Sequence, residues 1–239
     1  MNKNLRNIDF CGRQVSQDQP PYIVAEMSAN HNGKLETALK IISEAKKCGA
    51  DAVKIQTYKA ETITIDHDNE EFYLQTGLWK GRKLFDLYDQ AHTPWEWHSK
   101  LFDHAKKVGI TLFSSPFDET AVDFLEELNC PAYKIASPEL IDLPLIDKVA
   151  KTGKPVIMST GMASLEEIGE AITAAKNANC NKLIIMHCIS AYPSRIQDAN
   201  LSTIRELSNK FKVITGLSDH TNDTTTSVIA TGLGAVMIE

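Results

Sequence analysis

No apolar run in the sequence approaches the roughly 18 residues needed to cross a bilayer. The opening residues, MNKNLRNIDFCGRQ, lack the apolar core of a secretory leader. Basic charge is not in excess: 25 Lys and Arg stand against 31 Asp and Glu, a net charge of −6 with the two signs interspersed. No basic stripe is formed, so neither a nucleic-acid partner nor a membrane is expected. Cysteine is sparse, with five residues at 11, 48, 130, 180 and 188 and no CxxC pair. An odd set of unpaired thiols reads as small buried hydrophobes in a reducing, cytoplasmic setting.

What remains is an ordinary globular composition, 239 residues of which 43% are hydrophobic and 23% charged. That is enough to bury one sizeable core. The stretch YIVAEMSANHNG, residues 22–33, shows the plan: an apolar strand, then polar residues, then a helical pattern from Leu35. The plan repeats. Strands are predicted at 22–26, 52–56, 111–114, 132–135, 155–158, 182–186, 213–215 and 235–238. Helices are predicted between them, including one opened by Thr93-Pro94 and one at Ser164 with Glu167 three residues on, a capping box. Eight apolar strands alternating with amphipathic helices imply parallel βαβ units and a (β/α)8 TIM barrel, α/β in class. No helix pattern follows strand 8, so the barrel reads as truncated there. Residues 1–21 read as a polar N-terminal extension with a short hairpin around Ile8–Phe10 and Val15, and residues 22–239 as the barrel domain. The long segment from Tyr58 to His92, rich in aromatics and including Leu78, is an unusually long βα connection of the kind that carries function.

In such a barrel, polar residues at the C-terminal ends of strands converge on one mouth. Here these are Glu26, Ser28 and Asn30; Lys54 and Gln56; Ser114, Ser115 and Asp118; Lys134, Ser137 and Glu139; Ser159 and Thr160; His187, Ser190 and Tyr192; Ser218, Asp219 and His220; and Glu239. Two lysines with several hydroxyls suit a multiply anionic ligand such as a phosphorylated carboxylate. Ser159-Thr160-Gly161-Met162 ahead of a helix offers a phosphate cradle. His187 and His220 beside Glu26 and Glu239 are candidates for a divalent metal. A strand-end lysine is also compatible with Schiff-base chemistry. His31, His67, His92, His98 and His104 read as hydrogen-bonded packing, and Trp95 and Trp97 as helix packing.

The motifs AEMSANHNG, KIQTY, SSPFD, YKIAS, STGM, HC followed by YP, and GLSDHT, in this order, resemble the nonulosonic (sialic) acid synthases over residues 20–239. Within that family, GLWKGRKLFDLYDQAHTPWEWH (residues 77–98) is more similar to the pseudaminic acid branch than to the N-acetylneuraminate branch. The resemblance implies a transferase that condenses phosphoenolpyruvate with an open-chain acetamido sugar, a 2,4-diacetamido-2,4,6-trideoxy-L-altrose in that branch, and releases phosphate. N-acetylmannosamine-type sugars, used by neuraminate and legionaminate synthases, are the alternative. It also implies a divalent metal, manganese with magnesium or cobalt as alternatives, and a homodimer. By resemblance, Lys54, Ser115, Lys134, Ser137, Ser159 and Ser218 hold phosphoenolpyruvate, with Tyr192 beside it. Glu26 and Gln56 face the sugar and the attacking water, and His220 is a metal ligand. The family's second metal histidine and its C-terminal antifreeze-like domain follow the point where this sequence stops, Glu239. An inactive ligand-binding fragment is therefore a further expectation, alongside a Schiff-base aldolase using Lys54 or Lys134.

Overall fold

The computed structural model describes residues 7–77 and 79–239; the first six residues of the expected extension, and Leu78 of the long loop, lie outside them. The chain begins with an antiparallel hairpin, β1 (Asn7–Phe10) and β2 (Arg13–Ser16). Eight strands then form a closed parallel barrel: β3 (Tyr22–Glu26), β4 (Ala52–Thr57), β5 (Thr111–Pro116), β6 (Tyr133–Ile135), β7 (Val156–Ser159), β8 (Leu183–Cys188), β9 (Ile214–Ser218) and β10 (Met237–Ile238). β10 pairs with both β9 and β3, which closes the ring.

The helices that cover the barrel are α1 (Leu35–Lys47), α4 (His98–Val108), α5 (Glu119–Glu127), α6 (Leu143–Lys151), α7 (Leu165–Asn177), α8 (Thr203–Phe211) and α9 (Thr225–Gly232). Several of the βα units are bounded by local chemistry. Ser164 accepts from the Glu167 amide while the Glu167 carboxylate accepts from the Ser164 amide, the predicted capping box on α7. Asp118 accepts from the amides of Thr120 and Ala121 and so caps α5. α4 ends at Gly109 in the left-handed region (φ 74°), a conformation that costs glycine little. Within the long connection lie two short helices, α2 (Ala60–Ile63), which the sequence pattern did not suggest, and α3 (Leu84–Ala91).

Three expectations need correction. The helix after Thr93-Pro94 starts later: a 3-10 turn spans Trp95–Trp97 and α4 begins at His98. The Thr93 hydroxyl is buried without a partner rather than capping a helix. Asp118 is a helix cap rather than a ligand-facing residue. Third, the N-terminal extension carries the expected hairpin, at residues 7–16, but that hairpin packs into the barrel core. Phe10 is fully buried, edge-on to Tyr22 (5.1 Å) and Phe113 (5.8 Å). Phe113 sits two residues before Ser115 on β5, on the face that points into the barrel. The hairpin therefore closes the barrel base, opposite the mouth.

Period-two alternation does the rest. Outward residues such as Tyr133, Ile135, Ile185 and Leu217 pack under the helices and are buried. Inward positions end, at the mouth, in Glu26, Lys54, Ser115, Lys134, Ser159, Cys188 and Ser218. Gly216 is required where β9 meets β10, because a Cβ there would lie 2.6 Å from the Met237 carbonyl oxygen.

Candidate active site

Four charged side chains meet at the mouth: Glu26 from β3, Lys54 from β4, Lys134 from β6 and Glu239 just after β10. Lys54 Nζ lies 2.5 Å from Glu26 Oε2 and 3.6 Å from Glu239 Oε1. Lys134 Nζ lies 2.7 and 2.8 Å from the two oxygens of the same Glu239 carboxylate. Each ammonium also reaches a serine hydroxyl: Lys54 to Ser115 and Lys134 to Ser218, both at 3.4 Å. Both lysines are almost wholly buried. Burial of an ammonium is unfavourable unless it is paired, and here two carboxylates balance two ammonium groups.

The electrostatics follow from that pairing. Burial works against the Lys54 ammonium, but Glu239 and Glu26 outweigh it and push its pKa up to about 12. Burial pushes Glu26 above the ordinary carboxylate range, only partly offset by Lys54. Glu239 is held below that range despite its burial, because Lys134 and Lys54 both face it. The two glutamates are thus driven apart, Glu26 upward and Glu239 downward, while each remains paired with an ammonium group.

Around this quartet, Ser159 presents a buried hydroxyl that has no partner. Ser137 Oγ accepts the Gly161 amide at 3.1 Å. Gly161 is tightly enclosed: a Cβ there would lie 2.4 Å from Ser190 Oγ and 3.0 Å from both Cys188 Sγ and Ser137 Oγ. Two neighbouring segments, 188–190 and the one at Ser137, therefore meet over the 159–161 turn. Glu139, on the 3-10 turn Pro138–Ile141, is pushed up to about 7 by burial, and its Oε2 has no partner. Gln56 stands beside Ser115 in the β4–β5 register. At the rim, the exposed Tyr192 ring lies 4.2 Å from the His220 ring.

His220 donates from Nδ1 to the Ile189 carbonyl at 2.9 Å, which leaves Nε2 as its lone-pair nitrogen. That arrangement fits a single metal ligand. Among the described residues no group of three His, Cys, Asp or Glu side chains is arranged around a metal. His220 alone does not make a metal site.

Three sequence-based candidates are displaced by the geometry. His187 is not at the mouth. It lies on the outward face of β8, where its Nε2 is 2.6 Å from the Ala199 carbonyl and burial pushes its pKa down. The N-terminus of α7 is not an open phosphate cradle either, since Ser164 and Glu167 already occupy its end. Ser114 also faces outward, one residue out of phase with Ser115. Conversely, Glu239 holds the central position between the lysines. Its only sequence-level signal was its place at the end of the last strand.

A model of the NeuB family matches residues 41–239. The chain belongs to the NeuB family. It is 47% identical over 221 residues to the pseudaminic acid synthase of Helicobacter pylori, covering 92% of this chain and 65% of that protein. It is likewise 47% identical over 222 residues to the pseudaminic acid synthase of Campylobacter jejuni, covering 93% of this chain and 65% of that protein. Among solved structures, the N-acetylneuraminic acid synthetase of Leptospira borgpetersenii superposes with a TM-score of 0.87 at 31% identity, covering 98% of this chain and 77% of that one. The NeuB-family barrel described here thus spans about 65% of the length of the curated relatives it matches. Among the described residues no helix is long and apolar enough to cross a membrane.

Proposed function

We propose that this barrel is the catalytic domain of a pseudaminic acid synthase. It condenses phosphoenolpyruvate with the open-chain form of a 2,4-diacetamido-2,4,6-trideoxy-L-altrose. The observation that carries this reading is the pair of buried lysines, Lys54 and Lys134, each reaching a serine hydroxyl at the centre of the mouth. A small ligand with a carboxylate at one end and a phosphate at the other matches two fixed positive charges with hydroxyl donors between them. The greater identity to pseudaminic acid synthases than to the neuraminic acid synthetase supports the choice of sugar.

In this reading Lys54 and Lys134 take the two anionic ends, with Ser115, Ser137, Ser159 and Ser218 as donors. Phosphoenolpyruvate is more negative than the charge the lysines have to spare. It competes with Glu239 for Lys134. Gln56, Glu139 and Tyr192 line the side from which the sugar enters. The methylene carbon of phosphoenolpyruvate bonds to the sugar aldehyde carbon, and the aldehyde oxygen takes up a proton. Water then adds at C2, and the C–O bond to phosphate breaks. The product is a nine-carbon 2-keto acid. Glu26, pushed toward its protonated form by burial, exchanges protons with the water and the developing oxyanion. Fixing both substrates in one mouth contributes mainly through orientation. A divalent cation, manganese first among the candidates, would supply Lewis acidity at the aldehyde, with His220 Nε2 as the ligand from this chain.

A Schiff-base aldolase needs an amine that sheds its proton near neutrality. Lys54 is pushed the other way. The test is phosphate release from phosphoenolpyruvate with Mn²⁺, offering the diacetamido-trideoxy-altrose and N-acetylmannosamine in separate reactions. Release with the altrose alone is expected, and Lys134→Met should abolish it. Release with N-acetylmannosamine alone would overturn the sugar, and borohydride trapping of pyruvate on Lys54 would overturn the reaction.

A further inference from the structure

Just outside the mouth, Thr57 and Ser114 occupy outward positions on β4 and β5 that barrel strands normally give to apolar residues, and His98, at the start of α4, packs against them. His98, Thr57 and Ser114 are all completely buried. His98 Nδ1 is 3.2 Å from the Pro94 carbonyl, so that nitrogen carries the proton. Nε2 is then an acceptor, 2.8 Å from Thr57 Oγ1. Ser114 Oγ in turn donates to Thr57 Oγ1 at 2.6 Å; its one proton is used there, so its 3.2 Å approach to the Ile55 carbonyl is a contact and not a further bond. Every link is within hydrogen-bond range. Burial pushes His98 down to about 4, so the ring is neutral and the direction of the chain is set. Three buried polar groups are costly unless all are satisfied, and once satisfied they hold one geometry rigidly.

The position of this chain of bonds matters more than its existence. Thr57 directly follows Gln56, and Ser114 directly precedes Ser115. A bond between Thr57 and Ser114 therefore fixes the ends of two neighbouring strands at the point where Gln56 and Ser115 turn inward. The other end of the chain is the segment 58–97. Pro94 belongs to it, Trp95 Nε1 donates to the Tyr58 carbonyl at 3.2 Å, and Trp95 stacks on Phe124 at 4.5 Å. Phe124 also meets the His98 ring edge-on at 5.2 Å. Both feet of the long loop are thus tied to the same imidazole.

We infer that His98, acting through Thr57 and Ser114, is a positioning residue that holds Gln56 and Ser115 at the mouth and couples them to the segment 58–97. The inference rests on the proposed reaction for its kinetic consequence, but its structural content stands apart from it. A side-chain network behind the groups that touch substrate is what keeps them within reacting distance.

Thr57→Val keeps the shape of the side chain and removes the hydroxyl; Thr57→Ser keeps the hydroxyl. Two measurements are made on both variants and the wild type. Amide hydrogen exchange is expected to quicken about tenfold at residues 55–58 and 114–115 in T57V, with residues 156–159 and 183–188 unchanged, and to return close to wild type in T57S. In turnover with phosphoenolpyruvate and the acetamido sugar, kcat is expected to fall about tenfold in T57V and to recover in T57S. A T57V protein that melts earlier yet exchanges within twofold of wild type at residues 55–58 and 114–115 would overturn the inference. So would unchanged exchange together with unchanged kcat. A wild-type chain without turnover would count against the proposed reaction alone, and the exchange comparison would then decide the inference.

Discussion

Glu239→Gln is the substitution that most directly tests the charge balance at the mouth. The Glu239 side chain is 6% exposed and that of Lys134 is 4% exposed. Glutamine keeps the size and one acceptor but removes the charge. Lys54 retains Glu26, whereas Lys134 has no other carboxylate partner among the described residues. The quartet moves from neutral to one excess positive charge. Removing one member of a buried ion pair costs about 3–5 kcal/mol, and the retained amide acceptor favours the lower end. At roughly 2–4 °C per kcal/mol for a domain of this size, Tm should fall by about 6–12 °C. The same change should create an anion site. Inorganic phosphate at about a hundred times its Kd contributes about 2.7 kcal/mol, enough to restore most of the loss. The sign with pH can be worked out. Glu239 is held below its ordinary pKa in the folded chain, so its contribution is present above the unfolded value and is lost as pH falls through the folded one. Wild type and E239Q should therefore converge in acid. Differential scanning calorimetry from pH 8 down to pH 3, with and without phosphate, measures all of this, with sodium chloride at matched ionic strength as the control. A variant melting within about 2 °C of wild type at pH 7, and no more responsive to phosphate, would refute the charge-balance argument.

Three other outcomes are expected. Ser164→Ala removes the hydroxyl half of the α7 capping box and should cost about 1 kcal/mol, or roughly 2–4 °C in Tm, while leaving the phosphate response intact. Glu139 is pushed up to about 7 by burial, so between about 4.5 and 7 the folded chain binds more protons than the unfolded one and loses stability as pH rises. Glu139→Gln should flatten that slope and be the more stable protein at pH 8, as equilibrium urea unfolding at several pH values would show. Phe10→Ala should cost about 3–5 kcal/mol, because Phe10 fills the barrel base against Tyr22 and Phe113; a loss under 1 kcal/mol in the same urea assay would mean that the hairpin is peripheral.

The barrel was legible because its strands and helices repeat a simple contrast. Residues such as Val156–Ser159 and Leu183–Cys188 are buried on both faces, so they read as short continuous apolar runs. Helices such as α7 announce their start through a local motif, Ser164 with Glu167, whose bonds close within one turn. Lys54 and Lys134 stood out as charges inside apolar strands. Where phase mattered, sequence reasoning faltered. Ser114 and Ser115 are adjacent and chemically alike, yet one faces the helices and the other the mouth. His187 suffered the same ambiguity, resolved by its bond to the Ala199 carbonyl. Thr93 looked like a helix cap because its neighbour is proline, but a 3-10 turn intervenes.

The sequence by itself determined the alternation of strand and helix, the closed barrel, the family motifs and the two mouth lysines, since each rests on interactions within a few residues or on a pattern that repeats. Only the tertiary structure decided that Glu239 faces Lys134 and Lys54, that Phe10 closes the base, and that His98 reaches Thr57 and Ser114. Those contacts join residues 105, 103 and 41 positions apart. Closure of the ring brings its last strand beside its first, and a burial free energy that depends on every strand at once determines which groups meet there.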